Sequence, residues 1–438
     1  MTTTFAPPRQ AISRQALPNG LRILAAHNPA VDIAVVRLFL PCGSHRDPLG
    51  QEGLSHLMSE VLSKGTQRSS SEQIAAQVES LGAAIGTDVT ADYFEISLKC
   101  IASDLTAMLR LMAEILLEPI FPEDEVARER DQTLQAIQSQ QERPFALAFD
   151  QLRQRLFSAH AYACSPLGHH QSVQGLQRQD LIAFHTTHMD PRQAVVAVIG
   201  PQPSDYLQAQ IEAVFGFWSA SSSLSLDLSE DAAALVLSQL SNPAQGCQIL
   251  KTVQDTQQSM VMLGSRGSAA GSSDYAPLKL LATYLGNGLS SRLFVELREK
   301  RGLAYEVSAF FATRRDPAPF VAYMGTAWSN TAVALEGLQA ELYRLTQIPL
   351  SAEDLARTQR KVLGQYALGK QTNAQIAQVL GWYEILGLGA EFDQTYPGLI
   401  QAVTVEQLFE VAQRYLSDPV VSLVGPEQAL AEVLDSPV

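Results

Sequence analysis

The order of apolar and polar positions predicts a mixture of buried strands and amphipathic helices. Ile33–Leu40 (IAVVRLFL) is an apolar, β-branched run, read as a buried strand. Phe94–Cys100 alternates. Phe94, Ile96, Leu98 and Cys100 face one way, and Glu95, Ser97 and Lys99 the other. A third run, Ala194–Ile199, reads as a strand closing the first half of the chain. Between these lie helical periods. In Gly53–Lys64, Leu54, Leu57, Met58, Val61 and Leu62 fall on one arc. Ser55, His56, Ser59, Glu60 and Ser63 fall on the other, so His56 and Glu60 stand one turn apart on a polar face. Ser69 to Glu72 has the order of a capping box, predicting a helix to about Leu81. Asp104–Leu117 and Pro122–Gln141 read as long helices, with more helix to His188. The order is that of an α+β fold rather than strict β-α-β alternation.

The pattern occurs twice. FPEDEVAR at Phe121–Arg128 returns as LSAEDLAR at Leu350–Arg357, aligning Ala127 with Ala356. The end of the first half, HTTHMDPRQAVVAVIG at His185–Gly200, returns as RYLSDPVVSLVG at Arg414–Gly425, aligning Asp190 with Asp418. The run beginning at Val35 has a counterpart beginning at Met260. So long a period means duplication of a whole domain, not a solenoid. The expected division is a domain over 1–218, a Ser-rich linker over 219–231 and a second domain over 232–438.

Of the 438 residues, 46% are hydrophobic and 17% charged, enough apolar material for real cores. The net charge of −14 argues against general binding to nucleic acid or anionic membranes. No run reaches the length of a membrane span, and the N-terminal residues lack the apolar core of a secretory signal. Cys42, Cys100, Cys164 and Cys247 lie far apart, without a C-x-x-C pair. The expected location is the cytoplasm.

Two segments carry candidate chemistry. On spacing alone, His56 and Glu60 could ligate a metal or form an exposed pair on a wet helix. The other histidines (His27, His45, His160, His169, His170, His185 and His188) read as surface or loop residues. In the second half, Gly286 and Gly288 mark a turn, Ser290 an N-cap, and Leu293, Phe294 and Leu297 a buried stripe. Gly302 ends the helix, and a strand runs from Leu303 to Phe311. Arg298 and Arg301 suit the negative end of the helix dipole. Tyr305 shares a strand face with Val307 and Ala309 and could be an ordinary core tyrosine.

Cys42-Gly-Ser-His-Arg-Asp-Pro48, Gly53-Leu-Ser-His56 and Lys64-Gly-Thr66 resemble the opening of the pitrilysin/insulinase-type zinc peptidases, which include the mitochondrial processing peptidase. SSRLFVELREKRGLAY at Ser290–Tyr305 resembles the signature of that family's second domain. The resemblance covers both halves and implies two homologous α/β domains, each a mixed sheet packed with helices, forming one half of a clam-shell. It also implies a zinc site built on H-x-x-E-H with a distal glutamate. Here only His56 matches. Ser59 replaces the general base, Glu60 the second histidine and Ala136 the distal ligand, counted seven residues from Glu129 in the family's E-R element. By the same resemblance, Arg298 and Tyr305 correspond to the pair that contacts substrate backbone and the tetrahedral oxyanion. The long glycine-rich loop of the mitochondrial enzyme's non-catalytic subunit is reduced to Gly286-Asn-Gly288.

The expectation is therefore a chain without zinc of its own, inactive alone. It would bind extended peptide substrates for a homologous partner with an intact H-x-x-E-H, which supplies the zinc. The pair would be a heterodimer, with a homodimer as the alternative when the partner is missing. Two other readings stay open. One is a structural scaffold without chemistry. The other is a self-sufficient hydrolase using His56, Glu60 and a further ligand.

Overall fold

The computed structural model describes residues 12–158, 160–219 and 249–433. Most of the expected linker, 219–231, lies outside them. The described chain forms two compact units, each with its own sheet.

The first sheet contains β1 (Ile12–Ala16), β2 (Arg22–His27), β3 (Ile33–Leu40), β4 (Ala84–Val89), β5 (Phe94–Ile101) and β6 (Val195–Gly200), in the order β1-β2-β6-β3-β5-β4. Only β2 and β6 run parallel. In this half the helices are α1 (Leu54–Val61), α2 (Ser71–Ser80), α3 (Leu105–Leu117), α4 (Glu123–Gln141), α5 (Pro144–Leu156), α6 (His170–Gly175), α7 (Arg178–His188) and α8 (Ser204–Phe215). The second sheet contains β7 (Ile249–Val253), β8 (Gln258–Arg266), β9 (Glu306–Phe311), β10 (Pro319–Ala327) and β11 (Val420–Gly425), in the order β7-β11-β8-β10-β9. Its helices are α9 (Tyr275–Gly286), α10 (Thr331–Gln347), α11 (Ala352–Leu368), α12 (Asn373–Ile385), α13 (Phe392–Ala402), α14 (Val405–Leu416) and α15 (Glu427–Ala431). With β1 set aside, the two sheets have one topology: β2-β6-β3-β5-β4 maps onto β7-β11-β8-β10-β9, with the parallel pair in the same place. The fold is thus a duplicated α/β domain.

Neither unit is one continuous stretch. The first takes residues 368–393 from the second half, and the second takes 135–165 from the first. The exchanged pieces are helices that cover a sheet. In the first unit, α12 lays Ala377 and Leu380 against Leu24, Val35, Phe39, Val195 and Ile199. A Cβ on Gly381 would stand 2.1 Å from the Phe39 ring, so only glycine lets α12 approach this closely. In the second unit, α5 packs on β8 and β11, and the Ser422 hydroxyl donates to the Ala148 carbonyl at 2.9 Å.

This exchange settles what lies over the face of β5 that carries Glu95. Glu95 is only 4% exposed. α12 covers that face, and Glu95 pairs with Arg37, which also donates to the Gln378 side chain at 2.6 Å and to the Ala374 carbonyl at 3.1 Å. Burial pushes the Glu95 carboxyl above its usual range, and Arg37 opposes that. The cap of α2 is also displaced by one residue. Ser70, not Ser69, accepts from Gln73 N–H, and the Gln73 side chain accepts from Ser70 N–H.

Candidate functional site

Helix α1 starts where the Asp47 carboxylate accepts the backbone N–H groups of Gly53 (2.8 Å) and Ser55 (2.9 Å). Leu54, Leu57, Met58 and Val61 point into the core as expected. The polar arc departs from expectation. Ser55 and Ser59 are fully buried, because α1 is flanked by β4 and α7. Thr87 of β4 donates to the Ser59 carbonyl at 3.0 Å. His56, Glu60 and Ser63 reach partial exposure.

Ser59, at the position of the family's base, is 1% exposed, and its hydroxyl has no hydrogen-bond partner. A hydroxyl shut away from solvent has neither the pKa nor the access to deprotonate a water. His56 has three carboxylates close enough to draw on its proton: Glu60, Asp88 of β4 and Glu129 of α4. Burial nevertheless holds its pKa below the usual value. Glu129 is committed elsewhere, to the Lys64 ammonium at 2.8 Å, with only 6% of its side chain exposed. Ala136 lies two helical turns further along α4 and presents an exposed methyl.

A catalytic zinc asks for three protein donors and a base. The residues here do not fit it. One imidazole and one carboxylate stand at motif positions, the buried Glu129 is neutralised by Lys64, and Ala136 has no donor atom. Among the described residues, no group of three His, Cys, Asp or Glu is placed to hold a metal ion.

The second candidate segment is built differently from the expected α-helix. Ser290 stands in a turn before the helix, which begins at Arg292 and is π-helical over Phe294–Glu299. Lys300 N–H reaches the Val295 carbonyl, five residues back, at 3.0 Å. Gly302 ends it at φ +62°, as its spacing predicts. Leu293 and Leu297 are buried, but Phe294 is only half-buried. The strand starts at Glu306 rather than Leu303.

Tyr305 precedes that strand and is not a core residue: it is 62% exposed, held by its backbone N–H on the Gly325 carbonyl at 2.9 Å. Arg298 is also exposed, its guanidinium 4.9 Å from the centre of the Phe294 ring. Among the described residues, no hydrogen bond or ion pair engages the polar end of either side chain.

Several histidines read as surface residues are structural. His185 donates to the Leu116 carbonyl at 2.7 Å and packs edge-on to Phe121. His188 lies against Phe184, and His45 bonds the Ala91 carbonyl at 2.7 Å. Asp88 was not singled out in the sequence, and Lys64 and Phe294 were named there without a role in the site. For Lys64 the signal was available, since it lies one turn beyond Glu60 on the same helical period.

Residues 22–170 match the family model described as insulinase (peptidase family M16), and residues 175–362 match that of the peptidase M16 inactive domain. The chain is 26% identical over 424 residues to an uncharacterized zinc protease of Streptomyces coelicolor, covering 95% of this chain and 90% of that one. It is 23% identical over 417 residues to an uncharacterized zinc protease of Bacillus subtilis, covering 95% and 98%. Among solved structures it is similar to a peptidase M16 inactive domain from Pseudomonas fluorescens, with TM-score 0.85, 24% identity, and coverage of 98% and 100%. It is also similar to a protease from Helicobacter pylori, with TM-score 0.86, 18% identity, and coverage of 95% and 100%. At these identities the two structures speak to the fold alone. No helix among the described residues is long and apolar enough to cross a membrane.

Proposed function

Because the chain belongs to the insulinase (M16) family of peptidases, we propose that it is the substrate-binding, non-catalytic subunit of a two-chain zinc endopeptidase of the processing type. A homologous partner with an intact H-x-x-E-H supplies the zinc and the base. This chain supplies Arg298 and Tyr305 in trans, from the cytoplasm, to peptides bound extended along a sheet edge. One observation carries the reading: the zinc-site positions are spent, while the gripping pair is displayed and unengaged. Ser59 is buried, Glu129 is paired and Ala136 has no donor, whereas Arg298 and Tyr305 face solvent without a polar partner among the described residues.

The chemistry asked of the pair needs no metal of its own. A guanidinium fork and a phenol O–H aimed at a developing oxyanion stabilise the transition state more than the ground state. Mixing this chain with an H-x-x-E-H homologue from the same genome is expected to produce peptidase activity that neither has alone. Replacing Arg298 by Ala and Tyr305 by Phe is expected to lower kcat by about a hundredfold or more while the complex still forms. A complex that forms but stays inactive with every peptide would favour a scaffold role instead.

A further inference from the structure

We propose that Phe294 is a positioning residue for Arg298: its ring, one turn earlier in the π-helical segment, holds the guanidinium by its face and leaves the donor edge free for substrate. The inference rests on the substrate-gripping role of Arg298 argued above and names what keeps that arginine ready.

The segment Arg292–Arg301 carries four cations, and they are treated differently. Arg292 is bound by Glu341 of α10, with Nε 2.6 Å from Oε2, and by Glu296 at 3.3 Å. Lys300 is bound by Glu296 at 2.9 Å. Among the described residues neither Arg298 nor Arg301 has a carboxylate partner, and of the two it is Arg298 that meets an aromatic face, the Phe294 ring at 4.9 Å. A carboxylate partner would occupy the N–H fork, and substrate would have to displace it. An aromatic face attracts the cation through its quadrupole and uses none of the N–H donors. The ring therefore restrains a long, flexible side chain without spending the groups that bind backbone carbonyls.

The backbone supports this arrangement. Residues four apart share a face of a helical segment, which brings the Arg298 guanidinium to the Phe294 ring. Leu293 and Leu297, both fully buried, pin the neighbouring face of the helix, and the Arg292–Glu341 pair ties it to α10. Phe294 is left half-buried, anchored at its base with a face open to the guanidinium.

The test has two arms. In the isolated full-length chain, the Arg298 Nε–H signal, identified by its loss in Arg298→Lys, reports the stack directly. Phe294→Leu is expected to remove the ring-current shift and narrow the line as the side chain gains motion, whereas Phe294→Tyr keeps both. In the complex with the H-x-x-E-H homologue, Phe294→Leu is expected to lower kcat/KM by about fivefold, the typical scale of a cation–π contact, with unchanged melting temperature and complex formation. Phe294→Tyr is expected to restore it. An Arg298 signal that does not respond to Phe294→Leu overturns the proposal. So does a kcat/KM unchanged by Phe294→Leu when Arg298→Ala abolishes activity. If Arg298→Ala leaves activity intact, the gripping role of Arg298 fails, and the spectroscopic arm still decides whether Phe294 holds the side chain.

Discussion

Ser59 occupies a slot closed to solvent between α1 and β4, and its hydroxyl makes no hydrogen bond there. A buried, unpaired polar group costs roughly 1–3 kcal/mol. Ser59→Ala is therefore expected to be neutral or to stabilise by up to ~1 kcal/mol in urea unfolding. A loss of that size would mean the hydroxyl has a partner. The histidines of α7 set a pH dependence. Burial holds His185 and His188 below the usual imidazole range, His188 down to about 4, where the charge of Arg46 adds to burial. In the unfolded chain both titrate near pH 6.5. Between those values the unfolded state binds more protons, so this contribution is complete above about pH 6.5 and is lost as pH falls towards 4. The urea midpoint is expected to drop between pH 7.5 and pH 5, and His188→Gln to make that drop smaller. An equal drop in the variant would remove His188 from the account. These roles could not be read from the sequence, because nothing local to His185 marks the carbonyl of Leu116, which α3 brings to it.

Among the elements, the buried strands were the most legible. β3 has the bounds its apolar run predicts, and β5 and β6 lie within a residue of theirs. A period of two reports which side chains share a face, but not what covers that face. Glu95 alternates with the apolar residues of β5, and it is buried because α12 arrives from nearly 300 residues away with Gln378. The π-helical turn was illegible for a related reason. The spacing of Leu293, Phe294 and Leu297 fits an ordinary helix, and the wider turn shows in the backbone, as in the hydrogen bond from Lys300 to Val295. The glycine that ends it was readable. Gly302 has φ +62°, with nothing within 4 Å of where a Cβ would stand. Gly302→Ala is thus expected to cost about 1 kcal/mol through backbone conformation alone. A neutral result would mean that the helix end relaxes to another form.

At the scale of the whole molecule, duplication was legible and exchange was not. The repeated segments announce two copies of one domain, and the matching strand orders bear that out. No repeat can tell that α5 and α12 each serve the sheet of the other half, since nothing local to either helix names the sheet it covers. The exchange makes the halves interdependent. A fragment ending at residue 219 lacks α12 and exposes the face of β3 and β6 that Ala377 and Leu380 cover. Each half expressed alone is expected to unfold without a cooperative transition, and co-expression of the two to restore one. Independent cooperative folding of either half would contradict this. The functional account is likewise one of division, with water activation assigned to a partner and substrate gripping kept here. Its most direct test is the rate of peptide cleavage by a zinc-loaded H-x-x-E-H homologue as this chain is added. The account predicts a rise that saturates at one chain per partner and is absent when the added chain carries Arg298→Ala and Tyr305→Phe. Equal activation by the substituted chain, or turnover by this chain alone with about one tightly held zinc, would contradict it.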